Sequence, residues 1–220
     1  GGRNSHVLFD TDVTLHTFTV DTATDGDETN VSEIGSGHTL TITDSLTLKS
    51  ETFADADDGG TLDMEDGTTV ERSGGTIDFT PTFSGNATVA YTAGLTTGPE
   101  LPSSISSMRV SASSSTVTLG SDVTVSNTLD LDAGTLSDNG GSQTLMLSDG
   151  STVQRSDGTL GFTPSFGTSV NVTYTAGVTT GNELSPSHAG TLTVDASGEI
   201  VGLEASTDPT LRGDLKVLNG

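Results

Sequence analysis

Apolar residues alternate with Thr, Ser and Asp in short runs along nearly the whole chain. Examples are VTL at 13–15, LTI at 40–42, LTL at 46–48, VTV at 123–125 and LTV at 192–194. A period of two places every second side chain on one face, which is typical of a strand with one buried side. Each run is bounded by Gly, Asn, Asp or Ser, and helical periodicity is nearly absent. The pattern therefore predicts an all-β protein of many short strands and tight turns.

The chain contains an internal repeat with a period of 83 residues. Segment 66–101 occurs again at 149–184 without a gap, and 22 of the 36 aligned positions are identical. A fixed period indicates a repeat architecture. We interpret 38–120 and 121–203 as two repeats, 1–37 as an irregular N-terminal segment or first rungs, and 204–220 as the start of a partial third repeat.

Strands of this kind fit two folds. An 83-residue unit is about four rungs of a parallel β-helix (β-solenoid) or one β-sandwich, which would make the chain a tandem array of sandwiches. The strands are shorter than those of most globular sheets, and the Trp and Cys pair of immunoglobulin domains are missing. These features favour the β-solenoid. The spacing of Leu129, Leu145, Val172 and Leu192 predicts that they stack on successive rungs.

Composition narrows the range of partners. The chain carries 30 acidic and 7 basic residues, a net charge of −23, which disfavours nucleic-acid backbones and anionic membrane surfaces. No run approaches the roughly 18 apolar residues of a membrane helix. Cysteine is absent, so disulfides and thiolate metal sites are excluded. The acidic surface predicts solubility and an affinity for cations.

Two acidic clusters are candidate calcium sites, because closely spaced carboxylates on a turn can supply several of the six to eight oxygen ligands that Ca²⁺ takes. Neither cluster matches the EF-hand loop. Calcium binding therefore stands as a hypothesis beside that of solvated acidic loops. The candidate ligands are Asp21, Asp25, Asp27, Glu28, Asp55, Asp57 and Asp58.

Two further sets of residues recur in register. Arg72 and Arg155 occupy equivalent positions, which indicates a structural arginine that pairs with a carboxylate or with carbonyl groups at a corner. The repeated aromatic and proline positions favour core packing over an exposed row that stacks on sugar rings. They are Phe79, Pro81, Phe83, Tyr91, Phe162, Pro164, Phe166 and Tyr174.

The sequence contains no recognisable catalytic arrangement. Polysaccharide lyases on parallel β-helices need a basic residue beside a carboxylate-bound Ca²⁺, and hydrolases need a paired acid and base. Lys49 and Lys216 are the only lysines, and neither lies among acids in a Gly-rich pattern. The four histidines lack metal-ligand spacing. We therefore expect a protein that is not an enzyme.

The segment VTVSNTLDLDAGTL at 123–136, with SQTLML at 142–147 and the phrases YTAG at 174–177 and GNEL at 181–184, resembles long repetitive secreted surface proteins of Gram-negative bacteria. The resemblance covers roughly residues 37–220. It implies an extracellular β-solenoid in an adhesin, a surface layer or a filament, with no catalytic motif.

We accordingly expect a structural module that forms a stalk, a surface layer or a self-assembling filament, with itself as its main partner. The alternative is an adhesin or carbohydrate-binding module that contacts glycans. Open ends of a solenoid expose unpaired backbone groups, which favours end-to-end stacking.

Overall fold

The computed structural model describes residues 6–21, 31–55, 59–185, 187–203 and 210–218, all without helix. The strand pairings with an assigned register are parallel, so the predicted β-solenoid is confirmed and the β-sandwich array is wrong. The chain divides into two compact units, Gly1–Ala90 with Thr97–Pro102, and Tyr91–Thr96 with Ser103–Gly220. They are called unit 1 and unit 2 below.

Unit 1 contains two parallel ladders. Strand β2 pairs with β4, and β4 then pairs along its length with β6 and β7; separately, β1, β3, β5 and β8 form a four-stranded sheet. Strands β1, β2 and β3 lie in the segment interpreted as irregular, and they pair in the same parallel manner as the others. The strands are β1 (His6–Phe9), β2 (Val13–Val20), β3 (Val31–Ile34), β4 (Thr39–Leu48), β5 (Thr52–Asp55), β6 (Thr61–Met64), β7 (Thr69–Arg72), β8 (Thr76–Ile77) and β9 (Thr82–Phe83). Strand β10 (Thr88–Tyr91) reaches the boundary between the units.

Unit 2 contains a strand of 15 residues that pairs with several shorter strands in succession. This strand, β12, pairs with β11 on one side and with three short strands, β13, β14 and β15, on the other. The ladder continues from β14 through β17, β18 and β19. The strands are β11 (Ser104–Thr118), β12 (Val123–Ser137), β13 (Leu145–Leu147), β14 (Thr152–Arg155), β15 (Thr159–Leu160), β16 (Ser165–Phe166), β17 (Asn171–Tyr174), β18 (Leu192–Val194) and β19 (Leu215–Val217).

The predicted stacking of Leu145 on Leu129 is wrong. Leu145 pairs with Val123, and Leu129 pairs with Val153. Leu129 and Leu145 do lie on adjacent rungs, but each rung carries several apolar triplets, and these two occupy different positions of the rung. The predicted stacking of Val172 and Leu192 is confirmed. Strands of equal length recur 83 positions apart, as at Thr69–Arg72 and Thr152–Arg155. The number of rungs per repeat and the domain boundaries stay predictions.

The alternation in the sequence becomes an alternation of burial. Strand β4 shows it along its length, with Leu40, Ile42, Leu46 and Leu48 fully buried and the residues between them less so. Full burial of one such side chain contributes roughly 1.5–3 kcal/mol. Because every rung supplies the backbone partners of the next, a narrow core suffices despite the low apolar content.

Aspartates tie adjacent rungs together at the corners. Asp66 Oδ1 accepts a hydrogen bond from the backbone N–H of Asn86 at 2.6 Å. Asp149 Oδ1 accepts a similar bond from the N–H of Thr168, one position before the residue that corresponds to Asn86. In both copies the next residue is a glycine with positive φ, Gly67 at 80° and Gly150 at 77°, a conformation that other residues adopt only with strain. In both repeats the Asp therefore bonds the turn to the next rung, and the Gly allows the backbone conformation of the turn.

The aromatic residues are buried to different degrees. Tyr91 and Tyr174 are fully buried, as predicted, whereas Phe79, Phe83, Phe162 and Phe166 are half-buried. Unit 1 also contains a row of four phenylalanines with edge-to-face contacts and ring centroids 5.4–5.6 Å apart, a favoured geometry for aromatic pairs. The row consists of Phe9, Phe18, Phe53 and Phe79.

Candidate functional site

Arg155 in unit 2 is the centre of a buried polar cluster. Its Nη1 donates to Glu183 Oε1 at 2.5 Å and to the Thr179 carbonyl at 2.9 Å, and its Nε donates to the Gly158 carbonyl at 2.6 Å. Glu183 Oε1 also accepts hydrogen bonds from the Tyr174 hydroxyl at 2.9 Å and the Gly181 N–H at 2.8 Å. Both charged side chains are almost fully buried.

Unit 1 contains the same arrangement 83 positions earlier. Arg72 Nη1 donates to Glu100 Oε1 at 2.7 Å, and Nε donates to the carbonyls of Gly74 and Gly75. The Gly98 N–H donates to Glu100 Oε1 at 2.8 Å. The predicted pairing of the two arginines with a carboxylate and with carbonyl groups is thus confirmed. Sequence reasoning missed the two glutamates, although the repeated phrase Thr-Gly-x-Glu-Leu was visible.

The buried cluster of Arg155, Glu183 and Tyr174 is called the clamp below. Its geometry is suited to connecting segments of the chain rather than to transferring protons. Burial, and next the charge and hydrogen bond of Glu183, raise the pKa of Tyr174 far above its usual value, although Arg155 opposes the shift. The phenol therefore stays a neutral donor at every ordinary pH. The ion pair is closed to solvent, and Nε and Nη1 of Arg155 have partners within the chain, whereas Glu183 Oε2 is buried without a hydrogen-bond partner. The cluster therefore connects residues that are far apart in the sequence.

The predicted calcium ligands are only partly described. Asp21 Oδ2 lies 3.2 Å from Lys49 Nζ, and Oδ1 accepts a hydrogen bond from Ser50. Asp55 Oδ1 accepts hydrogen bonds from the N–H groups of Gly59 and Gly60. Among the described residues, no group of three or more His, Asp or Glu is placed to hold a metal ion. The other candidates lie outside the described residues: Asp25, Asp27, Glu28, Asp57 and Asp58.

A surface charge cluster on β11 and β12 was not predicted. Arg109 Nε donates to Asp132 Oδ2 at 2.6 Å and lies 3.6 Å from Asp130 Oδ2. Asp130 and Asp132 are two positions apart on one strand, so their side chains share a face. Burial, and next the charge and hydrogen bond of Asp132, raise the pKa of Asp130 to about 6, against the opposing effect of Arg109.

Asp130→Asn should therefore stabilise unit 2 at neutral pH. Asp130 binds its proton more tightly in the folded chain than in the unfolded chain. The free energy of unfolding therefore falls as the pH rises from about 4 to about 6, where Asp130 loses its proton in the unfolded chain first. We expect the variant to gain about 1–2 kcal/mol at pH 7.5 and little at pH 4. Urea unfolding followed by circular dichroism across this range measures the gain. Asp157→Asn is the matched control, and an equal gain at both pH values would contradict the prediction.

Unit 2 has an uncovered apolar surface at its last strand. The inward column runs from Val172 through Leu192 to Leu215, and a parallel column runs from Tyr174 through Val194 to Val217. Val172, Tyr174 and Leu192 are buried and Val194 is half-buried, whereas Leu215 is 58% and Val217 63% exposed. Within the described ranges, the outer edge of β19 has no partner strand. We call Leu215, Val217 and this edge the terminal rung surface.

An apolar cavity of about 340 Å³ lies directly behind the terminal rung surface. His188 lines it with its imidazole buried and Nε2 without a hydrogen-bond partner, and burial lowers the pKa of His188 against a backbone hydrogen bond at Thr191. The imidazole is therefore neutral at physiological pH. The other lining residues are Tyr174, Leu184, Leu192, Val194, Val201, Leu203, Leu211, Leu215 and Val217.

Comparison with known proteins adds no functional assignment. Models of protein families, curated proteins and solved structures yielded no match to this chain. In the described part of the chain, no helix is long and apolar enough to cross a bilayer.

Proposed function

We propose that this chain is a structural, non-catalytic module of an extracellular β-solenoid, which forms a stalk, a surface layer or a self-assembling filament. The observation that carries the proposal is the continuous parallel ladder of unit 2 through β12, β14, β17, β18 and β19, whose inward columns run on to Leu215 and Val217. Burying each of these side chains contributes roughly 1.5–3 kcal/mol. An unpaired strand edge also offers a ready template for a further strand.

Two other features support a mechanical role. The parallel ladders connect every described rung of unit 2 by backbone hydrogen bonds, and the buried clamp joins residues that are 28 positions apart. Both features resist separation of the rungs. The net charge of −23 keeps the surface solvated and repels other copies at low salt. Assembly should therefore depend on screening, whose length falls from about 30 Å at 0.01 M salt to about 3 Å at 1 M.

Electron microscopy and sedimentation velocity at low and high NaCl provide the test. We expect filaments or long oligomers at high salt, mainly monomers at low salt, and monomers throughout for the double variant Leu215→Glu/Val217→Glu. The matched control is Met146→Glu, which places the same charge on an exposed apolar residue of β13. A wild-type chain that stays monomeric at every salt concentration would contradict the proposal. Loss of the assemblies in EDTA would show that divalent cations contribute.

A polar hollow in unit 2 favours glycan binding as a second candidate function. Its volume is about 580 Å³, and hydroxyl groups of Ser113, Ser115, Thr116 and Thr135 line it beside Asp157. Rows of hydroxyls and a carboxylate are hydrogen-bonding partners for sugars. Binding on a glycan array that is lost in Thr135→Val/Thr159→Val would support this candidate. Tyr174 is fully buried and therefore cannot stack on a sugar ring.

A further inference from the structure

We propose that the polar hollow of unit 2 is a binding site for a protonated amino sugar. This inference rests on glycan binding, the second candidate function, and specifies the class of sugar. The hollow has a volume of about 580 Å³, which lies within the roughly 300–1,000 Å³ of pockets that hold small molecules. All of its lining residues belong to unit 2.

The hollow forms where β11 departs from its regular pairing with β12. Residues 112–115 of β11 lie opposite the single residue Gly134 of β12, and such a bulge bends a strand away from its neighbour. Any side chain at position 134 would collide with the carbonyl oxygens of Ala112 and Ser115. Gly134 also has a φ of 81°, which favours glycine. The hollow therefore depends on the glycine at position 134.

Two residues of the hollow are not part of the internal repeat. The hydroxyl oxygens of Thr135 and Thr159 lie 3.0 Å apart, and the equivalent threonine pair of unit 1 makes the same contact at 2.9 Å. Gly134 and Asp157 have no such counterparts, because a glutamate and a glycine stand 83 positions earlier. The threonine pair therefore reflects a requirement of the fold, whereas Gly134 and Asp157 are specific to unit 2.

The polar groups of the hollow suit a ligand that carries hydroxyls and an ammonium group. Within the described chain, the Asp157 carboxylate and the hydroxyls of Ser113 and Ser115 are exposed and have no intramolecular hydrogen-bond partner. Serine and threonine hydroxyls both donate and accept, so they match the hydroxyls of a sugar. A protonated amine offers three donors and a positive charge to the Asp157 carboxylate, which can only accept.

The charge of the chain selects an amino sugar over other sugars. Neither Lys nor Arg is among the described residues that line the hollow, and the chain carries a net charge of −23. Such a field attracts cations and disfavours acidic sugars. The described lining also contains no aromatic side chain on which a neutral sugar could stack. The positive charge of an amine is therefore what distinguishes the preferred sugar.

Sugars that differ in one group test this assignment by NMR titration of the backbone amides, at a pH where the amine is protonated. The probes are glucosamine, glucose, N-acetylglucosamine and glucuronic acid. We expect glucosamine to bind about fivefold more tightly than the two neutral sugars, the effect of one ion pair that stays open to water, and glucuronic acid to bind most weakly. The shifts should centre on residues 113–116, 134–135 and 157–159. In 1 M NaCl, where the screening length is about 3 Å, the preference should disappear.

Asp157→Asn should abolish the preference for glucosamine and keep the weaker binding of glucose. The matched control is Asp214→Asn, which removes the same charge from an exposed residue outside the hollow and should keep the preference. The spectrum of each variant also reports whether its fold is intact.

The possible failures are distinguishable. Equal binding of glucosamine and N-acetylglucosamine would overturn the requirement for an amine and leave the glycan candidate standing. Equal binding of methylammonium and glucosamine would overturn the recognition of a sugar. No binding of any probe, or shifts only outside the hollow, would refute both this inference and the glycan candidate. The structural role would still stand, because its test is assembly.

Discussion

Leu145→Asp should lower the free energy of unfolding by about 4 kcal/mol or more, the combined effect of a lost core side chain and a buried charge. Leu145 is fully buried on β13, stacked on Val123 of the adjacent rung. A carboxylate at this position would have to be protonated or drawn into solvent. Either outcome weakens the packing of β13 on β12. Urea unfolding monitored by circular dichroism measures the loss.

The adjacent residue supplies the control for this experiment. Met146 lies on the same strand with its side chain outward and 42% exposed. Met146→Asp introduces the same charge one position away, and we expect a change within about 0.5 kcal/mol, as for ordinary surface substitutions. If both variants unfolded at the same urea concentration, the inward position of Leu145 would be wrong.

Glu183→Ala should lower the free energy of unfolding of unit 2 by about 3–5 kcal/mol, because the Arg155 guanidinium stays buried without its carboxylate partner. The substitution also removes the acceptor of the Tyr174 hydroxyl and the Gly181 N–H. Glu183→Gln keeps an oxygen at this place and removes only the charge, so its loss should be smaller, about 1–3 kcal/mol. Hydrogen exchange of β14 and β17, together with urea unfolding, would report where the rungs separate.

An exposed ion pair on the same unit provides the comparison. Arg109 is 51% exposed and bonds to Asp132 on the outer face. Asp132→Ala should cost less than about 1 kcal/mol, because solvent screens such pairs and competes for their hydrogen bonds. If Asp132→Ala and Glu183→Ala lowered the free energy of unfolding by similar amounts, burial would not strengthen the ion pair of the clamp. The equivalent clamp of unit 1, Arg72 with Glu100, should respond as Arg155 with Glu183 does.

The clamp also explains why the sequence Thr-Gly-x-Glu-Leu and the arginine that pairs with its glutamate occur in both repeats. Arg155 lies on β14, whereas Glu183 lies in a loop after β17, and the two side chains meet inside the unit. Substitution of either residue leaves a buried charge, so both must change together. Outward positions carry no such constraint, and there the two copies differ, as at Glu71 and Gln154.

The sequence by itself determined the strand content, the inward and outward positions, the glycine turns and the structural role of the two arginines. Each of these depends on local chemistry. Alternation with period two defines which side chains face inward, and Gly, Asn, Asp and Ser between the apolar runs favour tight turns. These two signals are present in a single rung. The structural role of the arginines was indicated by comparing the two repeats, because a residue copied in register with its surroundings indicates a requirement of the fold.

Only the tertiary structure decided which strands are neighbours. The pattern at Leu145 is the same whether it stacks on Val123 or on Leu129, because every inward triplet is apolar and the choice depends on how the chain turns its corners. The raised pKa of Asp130 and the exposure of Leu215 likewise depend on what the adjacent rungs place beside them. In a β-solenoid the alternation of side chains is determined along the chain. Burial and charge coupling arise between rungs about 20 residues apart. A local pattern cannot specify which strands of neighbouring rungs pair.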